Sequence, residues 1–199
     1  FEVAFPQALN PLEPADRDLD ADGDALSNLE ESLRDSSPVD ANSPEASFFV
    51  APPPLGIDSP GRGTAAAPWA TIGFALSQVA PSAEAPVRVL LKAGIYQEDV
   101  ALLPHVTLAG ELDAIVEIEG MVSGADNAAL TGLLLRAPAS DAVLLDLDGV
   151  EGAGVRMVLS GVYFEGLDQT GTGIVLSGDG SAGTVIESCS FRSLGHGLI

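Results

Sequence analysis

The stretches TGLLL (131–135), SGVYF (160–164) and ESCSF (187–191) recur at offsets of 29 and 27 residues. A second series follows them. AVLLDLDG begins at Ala142 and GIVLSGDG at Gly173, 31 residues apart, and HGLI (196–199) opens a third copy. Each copy is a short apolar run bounded by Gly, Ser or Asp. A loose period of this length, built from short strands, is the pattern of a chain wound into coils that stack on one another. Strands are expected near 98–102, 106–109, 115–119, 130–135, 143–147, 155–164, 173–177 and 184–191. A β-sandwich also has many short strands with turn signals, but it does not call for similarity at coil length. The stack therefore predicts parallel strands from about residue 85 onward, with Leu133, Leu135, Val162, Phe164, Cys189 and Phe191 in inward ladders.

Toward the N-terminus, Val87, Val89 and Leu91 alternate with Arg88 and Lys92, as a half-buried strand requires. A helix is expected from Trp69 to Val79, with Trp69, Ile72, Leu76 and Val79 on one stripe. Gly56, Gly61 and Gly63 form the loop before it. Residues 44–54 hold Pro44, Pro52, Pro53 and Pro54 and read as a linker with one entry strand, Ser47 to Val50. The motifs Phe49-Val50, Gly56-x-Asp58, Gly63-Thr64, Pro68-Trp69-x-Thr71-Ile72 and Gly94-Ile95-Tyr96 resemble the N-terminal entry of pectin-lyase-like proteins. The resemblance covers about residues 47–199. It implies an all-β, right-handed parallel β-helix (solenoid) with an N-terminal capping helix, the domain spanning 55–199. That fold hosts polysaccharide lyases, glycoside hydrolases, epimerases, adhesins and structural surface proteins. A stack of this kind needs its open ends covered against edge pairing. The capping helix serves one end and no cap is legible at the other, so the chain is expected to be part of something longer. Its start at Phe1, without a leader, fits the same expectation.

Residues 1–43 have a different character. They lie in the first fifty residues, which hold 12 of the 29 acidic residues, with Arg17 and Arg34 the bases there. Within DADGDALSNLEE, Asp20, Asp22 and Asp24 alternate and Glu31 stands at the twelfth position from Asp20. Leu26 is at the seventh. A calcium loop takes oxygens at positions 1, 3 and 5, a backbone carbonyl at 7 and a bidentate carboxylate at 12. Position 6 is Ala25, where that template has Gly. A register from Asp18 restores Gly23 there but places Leu29 at position 12, which cannot ligate. Asp16 and Asp18 are left for a neighbouring ion or to fold over the loop. Ser27-x-x-Glu30 is a capping-box pattern that would start a short helix and return Glu31 to the ion. The Asp-x-Asp-Gly-Asp core, the Leu-Ser-Asn after it and the Glu-Glu pair resemble the bacterial thrombospondin type 3 repeat. That resemblance implies calcium as the bound ion and a stiff spacer on a secreted or surface protein.

Composition narrows the partners. A net charge of −21, from 29 acidic and 8 basic residues, leaves no basic patch for nucleic acid and disfavours an anionic membrane surface. The apolar stretch AAAPWATIGFALSQVA is too short and too polar to span a bilayer. One cysteine, Cys189, excludes an internal disulfide framework.

Signals for catalysis are sparse. Asp146 and Asp148 share a face at period 2, about 7 Å apart, and Asp179 recurs near the Asp148 position. Glycoside hydrolysis uses two carboxylates about 5–10 Å apart. Lys92 is the only lysine, and Arg136, Arg156 and Arg192 lie in successive strands as solvent-facing residues. His105 and His196 lack Cys or His partners at metal spacing. Trp69, Tyr96 and Tyr163 could stack on sugars but are expected to pack. The expectation is a non-catalytic, calcium-rigidified structural or adhesive module of an extracellular or cell-surface protein. Polysaccharide or other surface proteins are its candidate partners. The alternative is the N-terminal part of a polysaccharide lyase or glycoside hydrolase whose active site lies beyond residue 199.

Overall fold

A computed structural model describes residues 19, 46–111, 114–147, 156–176 and 183–198. The predicted ion ligands Asp20, Asp22, Asp24, Leu26 and Glu31 lie outside these residues, as do Asp148 and Asp179. The unit described below is Ser47–Ile199.

The strands come in triplets. β1 (Ala46–Val50) enters and α1 (Ile72–Gln78) follows. Then come β2 (Val87–Leu91), β3 (Gly94–Tyr96) and β4 (Val100–Ala101); β5 (Val106–Gly110), β6 (Val116–Glu119) and β7 (Val122–Ser123); β8 (Ala128–Thr131), β9 (Leu134–Arg136) and β10 (Val143–Asp146). The last triplets are β11 (Met157–Ser160), β12 (Tyr163–Glu165) and β13 (Thr172–Val175), then β14 (Val185–Glu187), β15 (Ser190–Arg192) and β16 (His196–Leu198). Every third strand pairs with the next, giving three sheets: β1-β2-β5-β8-β11-β14, β3-β6-β9-β12-β15 and β4-β7-β10-β13-β16. From β2 onward the strands pair in parallel. This is a parallel β-solenoid, and parallel pairing throughout excludes the sandwich.

The corners correct the sequence reading. The expected strands 130–135, 155–164 and 184–191 are each two strands, broken at Gly132, Gly161 and Ser188. These residues have φ of 61°, 62° and 53°. One left-handed residue turns the chain from the first sheet into the second. At the turn, corner amides donate along the stack. Gly132 N–H reaches Ser160 O at 2.9 Å, and Tyr163 N–H reaches Leu133 O at 2.8 Å. The other corners use the same device at Asp141, Gln169 and Ser193, and at His105 and Asn127, all with φ between 52° and 67°. Asn, Asp and His tolerate this region better than most side chains. His105 therefore holds a backbone position at a corner.

Inside, like stacks on like. Val89, Leu108, Leu130 and Leu159 share one register line, and Tyr96, Ile118, Leu135, Phe164 and Phe191 another. The expected ladder is present: Leu133, Leu135, Val162 and Phe164 are buried and Cys189 is half-buried against the same core. Phe191 stacks on Phe164 with centroids 4.8 Å apart, although it is itself partly exposed. Gly173 makes room for that ring, which a Cβ there would crowd at 2.8 Å. Each fully buried leucine or phenylalanine contributes about 1.5–3 kcal/mol.

At the other end α1 packs on the first triplet through Ile72, Ala75 and Leu76. Trp69 is not helical, contrary to the expected span. It forms a parallel bridge with Val50, and the helix begins only after the N-cap Thr71, which is extended at φ −120°. Asp58 explains the late start. Its Oδ1 accepts the amides of Ala70 (2.8 Å) and Thr71 (3.1 Å), holding both outside the helix. The helix stops at Gln78 and Val79 is extended, two residues before Pro81. Trp69 stacks on Phe48 (5.4 Å) and meets Phe74 edge-on (6.1 Å). Gly63, at φ 96°, lies under the indole, where a Cβ would stand 2.5 Å from the ring.

Candidate functional site

The outward face of β3-β6-β9-β12-β15 carries the densest set of interacting charges among the described residues. β6 reads Val-Glu-Ile-Glu, so strand alternation turns Val116 and Ile118 inward and sends Glu117 and Glu119 out. Arg136 stands in register between Glu119 and Glu165, one coil on either side. Its Nε and Nη2 donate to Glu165 Oε2 at 3.0 and 2.8 Å, and its Nη1 donates to Glu117 Oε1. Gln97 donates to Glu119 Oε2 at 2.7 Å. Glu117 is only 5% exposed although it faces outward. Burial pushes its carboxyl above the ordinary glutamate range. Arg136 pulls it back, while the neighbouring Glu119 and Glu165 push it up again. Glu165 holds Arg136 still more firmly as a cation.

A second cluster sits at the corner before β10 and β13. Asp168 accepts from Ser140 Oγ at 2.6 Å and from Thr170 Oγ1 at 2.5 Å. Those hydroxyls, Ser140 first, hold its carboxyl below the usual range. Thr170 Oγ1 also accepts the Asp141 amide at 2.9 Å, so the cluster ties one corner to the next.

A third group of carboxylate contacts serves the cap. Ile72, Gly73 and Phe74 have no intrahelical acceptor for their amides, as expected of a first helical turn. Glu98 accepts the first two at 2.8 and 2.9 Å, and Thr71 Oγ1 accepts the third at 3.2 Å. Tyr96 anchors the turn below. Its hydroxyl lies 2.9 Å from Lys92 O and 3.0 Å from Val50 O, and burial raises the phenol above its ordinary range.

The residues singled out in the sequence are dispersed over this framework. Lys92 pairs with Glu111 (3.7 Å) just past β2 and β5, and Arg156 with Asp126 (3.7 Å) just before β11 and β8. Asp146 ends β10, half-buried, and its carbonyl accepts the Gly124 amide at 2.8 Å. Arg192 is exposed on β15, His196 is exposed on β16, and Tyr163 is half exposed on β12. Trp69 and Tyr96 are packed, as expected. Of the arginines, only Arg136 enters a multi-carboxylate cluster among the described residues. Sequence reasoning missed its partners Glu117, Glu119 and Glu165. The usable signal was the 29-residue spacing of Arg136 and Glu165, the same as that of Thr131 and Ser160. Among the described residues no group of three or more His, Cys, Asp or Glu is placed to hold a metal ion. No described helix is long and apolar enough to cross a membrane. Compared with known proteins, the chain matches no family model, no curated protein and no solved structure.

Proposed function

We propose that this chain is a non-catalytic structural or adhesive module of a secreted or cell-surface protein, stiffened by calcium near its N-terminus. The observation that carries the reading is how the described charges are spent. Arg136 is taken up by Glu117 and Glu165, Lys92 by Glu111 and Arg156 by Asp126. These pairs join neighbouring turns of the chain. Glu117 has the raised carboxyl of a general acid, yet at 5% exposure it lies under its neighbours. A general acid must come within hydrogen-bond reach of the group it protonates. On this reading the coils wind right-handed, the sense adopted by nearly all parallel strand connections. The entry motifs support the pectin-lyase-like resemblance through their physical roles: Thr71 caps α1, Asp58 holds Ala70 and Thr71 outside it, Gly63 seats Trp69, and Tyr96 ties Lys92 to Val50.

Calcium enters through Asp20, Asp22, Asp24 and Glu31, with Leu26 contributing its carbonyl, in a unit similar to a thrombospondin type 3 repeat. Four carboxylates in one short loop repel each other until a hard cation sits among them. Limited proteolysis of the full chain tests this. Cleavage between Asp16 and Asp40 should be slow in calcium and fast in chelator, while the solenoid is equally resistant in both. Asp22→Ala should be cut rapidly in either buffer. Equal cleavage of the parent with and without chelator would remove calcium from the proposal. Turnover of acidic or neutral polysaccharides would remove the non-catalytic reading in favour of a lyase or hydrolase.

A further inference from the structure

We propose that Glu117, Glu119, Arg136 and Glu165 form a proton-binding cluster that couples the stacking of β6, β9 and β12 to pH. Three carboxylates from two coils face one guanidinium. Arg136 spends two of its nitrogens on Glu165 and one on Glu117. Glu119 stands two residues from Glu117 on the same outward face of β6, and from the preceding coil it receives only the uncharged Gln97. β3 presents Ile95 opposite Glu117, and β9 presents Leu134, so neither adds a charge. The surroundings of Glu117 thus hold one cation against two other anions, and water is largely excluded from it.

That arrangement favours a proton on Glu117. A protonated Glu117 donates to Glu119 and leaves Arg136 to Glu165. When pH rises the proton passes to solvent, Glu117 takes up its contact with Arg136 Nη1, and it then opposes Glu119 directly at low exposure. The direction of its shift agrees with the geometry. A carboxyl that binds its proton more tightly in the folded state gives stability that is fully present below the unfolded-state value. That contribution is lost as pH rises through the folded-state value. The cluster therefore tightens the stack under mildly acidic conditions, opposite in sign to Asp168, whose hydroxyl-bound carboxylate loses stabilisation as pH falls.

The test is thermal unfolding of the full chain, followed by circular dichroism at fixed calcium from about pH 4 to about pH 7, spanning the upper side of the glutamate range. Glu117→Gln keeps the shape and the donor but cannot ionise. The parent should lose more of its melting temperature across this range than Glu117→Gln does, by on the order of a few degrees. Glu84→Gln, at an exposed position, should track the parent. Carboxyl-carbon NMR of the parent gives an independent reading, in which Glu117 should titrate above the ordinary glutamate range. Parallel melting profiles for parent and Glu117→Gln would overturn the proposal. So would Glu117 titrating within the ordinary glutamate range, which decides the matter even if the variant does not fold.

Discussion

Phe164 and Phe191 hold the same place in successive coils, on paired strands and in the same inward ladder, yet one is 1% exposed and the other 39%. Leu159 and Ile186 repeat the contrast at 0% and 36%, and Ile174 and Leu198 at 0% and 52%. Residue type and strand position are nearly the same within each pair. What differs is the axial neighbour. Phe164 has Leu135 beneath it and Phe191 above, whereas Phe191 has Phe164 alone among the described residues. In a solenoid, burial is a property of the stack, since each repeat contacts only its neighbours. The N-terminal end of the stack makes the same point from the other side. There Val50 and Trp69, at 0% and 3% exposure, are covered by an aromatic cluster and a helix dedicated to that end.

The severest way to break the comparison is Val162→Asp. Val162 lies fully buried between Leu133 and Cys189 in the corner ladder. A carboxylate there would sit in the apolar core and should cost on the order of 4 kcal/mol or more, unfolding adjacent coils together. Chemical denaturation followed by circular dichroism would measure it, and a parent-like midpoint would mean that this ladder does not hold the stack. The paired truncations Phe164→Ala and Phe191→Ala sharpen the contrast. Phe164→Ala should cost about 3–5 kcal/mol through lost transfer and a cavity, and Phe191→Ala about 1–2 kcal/mol because part of its ring is already in water. Equal losses in the same denaturation assay would contradict the axial argument. The mildest test concerns the covered end. Thr71→Ala removes the acceptor for the Phe74 amide while Glu98 still serves Ile72 and Gly73, so a loss of about 1 kcal/mol is expected. Hydrogen exchange confined to α1 would locate that loss.

Much of this outcome was legible in advance for a physical reason. Stacked coils place residues about one period apart in contact, so similarity at 27 to 31 residues is direct evidence of the ladder. The cap was legible because Trp69, Ile72 and Leu76 are apolar at a spacing that a helix and its approach can bury together. The corners were not. TGLLL reads as one apolar run, and Gly132 permits a left-handed turn without requiring one. At Ser188 the same turn carries no sequence signal at all. β7 is two residues long, too short to show any periodicity. The ion loop at Asp20–Glu31 was read from spacing, and it lies outside the described residues.

The amino-acid sequence by itself determined a coiled all-β chain with an inward apolar ladder, because alternation and repeat length are local and periodic properties. The tertiary structure alone decided which carboxylates meet. Glu117 looks like any outward residue of an alternating strand, and only the next coil, carrying Arg136, together with Glu165 beyond it, makes it a buried member of a charge cluster. The same holds for Glu98, whose pairing with the first amides of α1 joins residues 25 and 26 positions apart. Desolvation and charge pairing depend on distances between segments that local pattern does not encode, and the winding of the coils sets those distances.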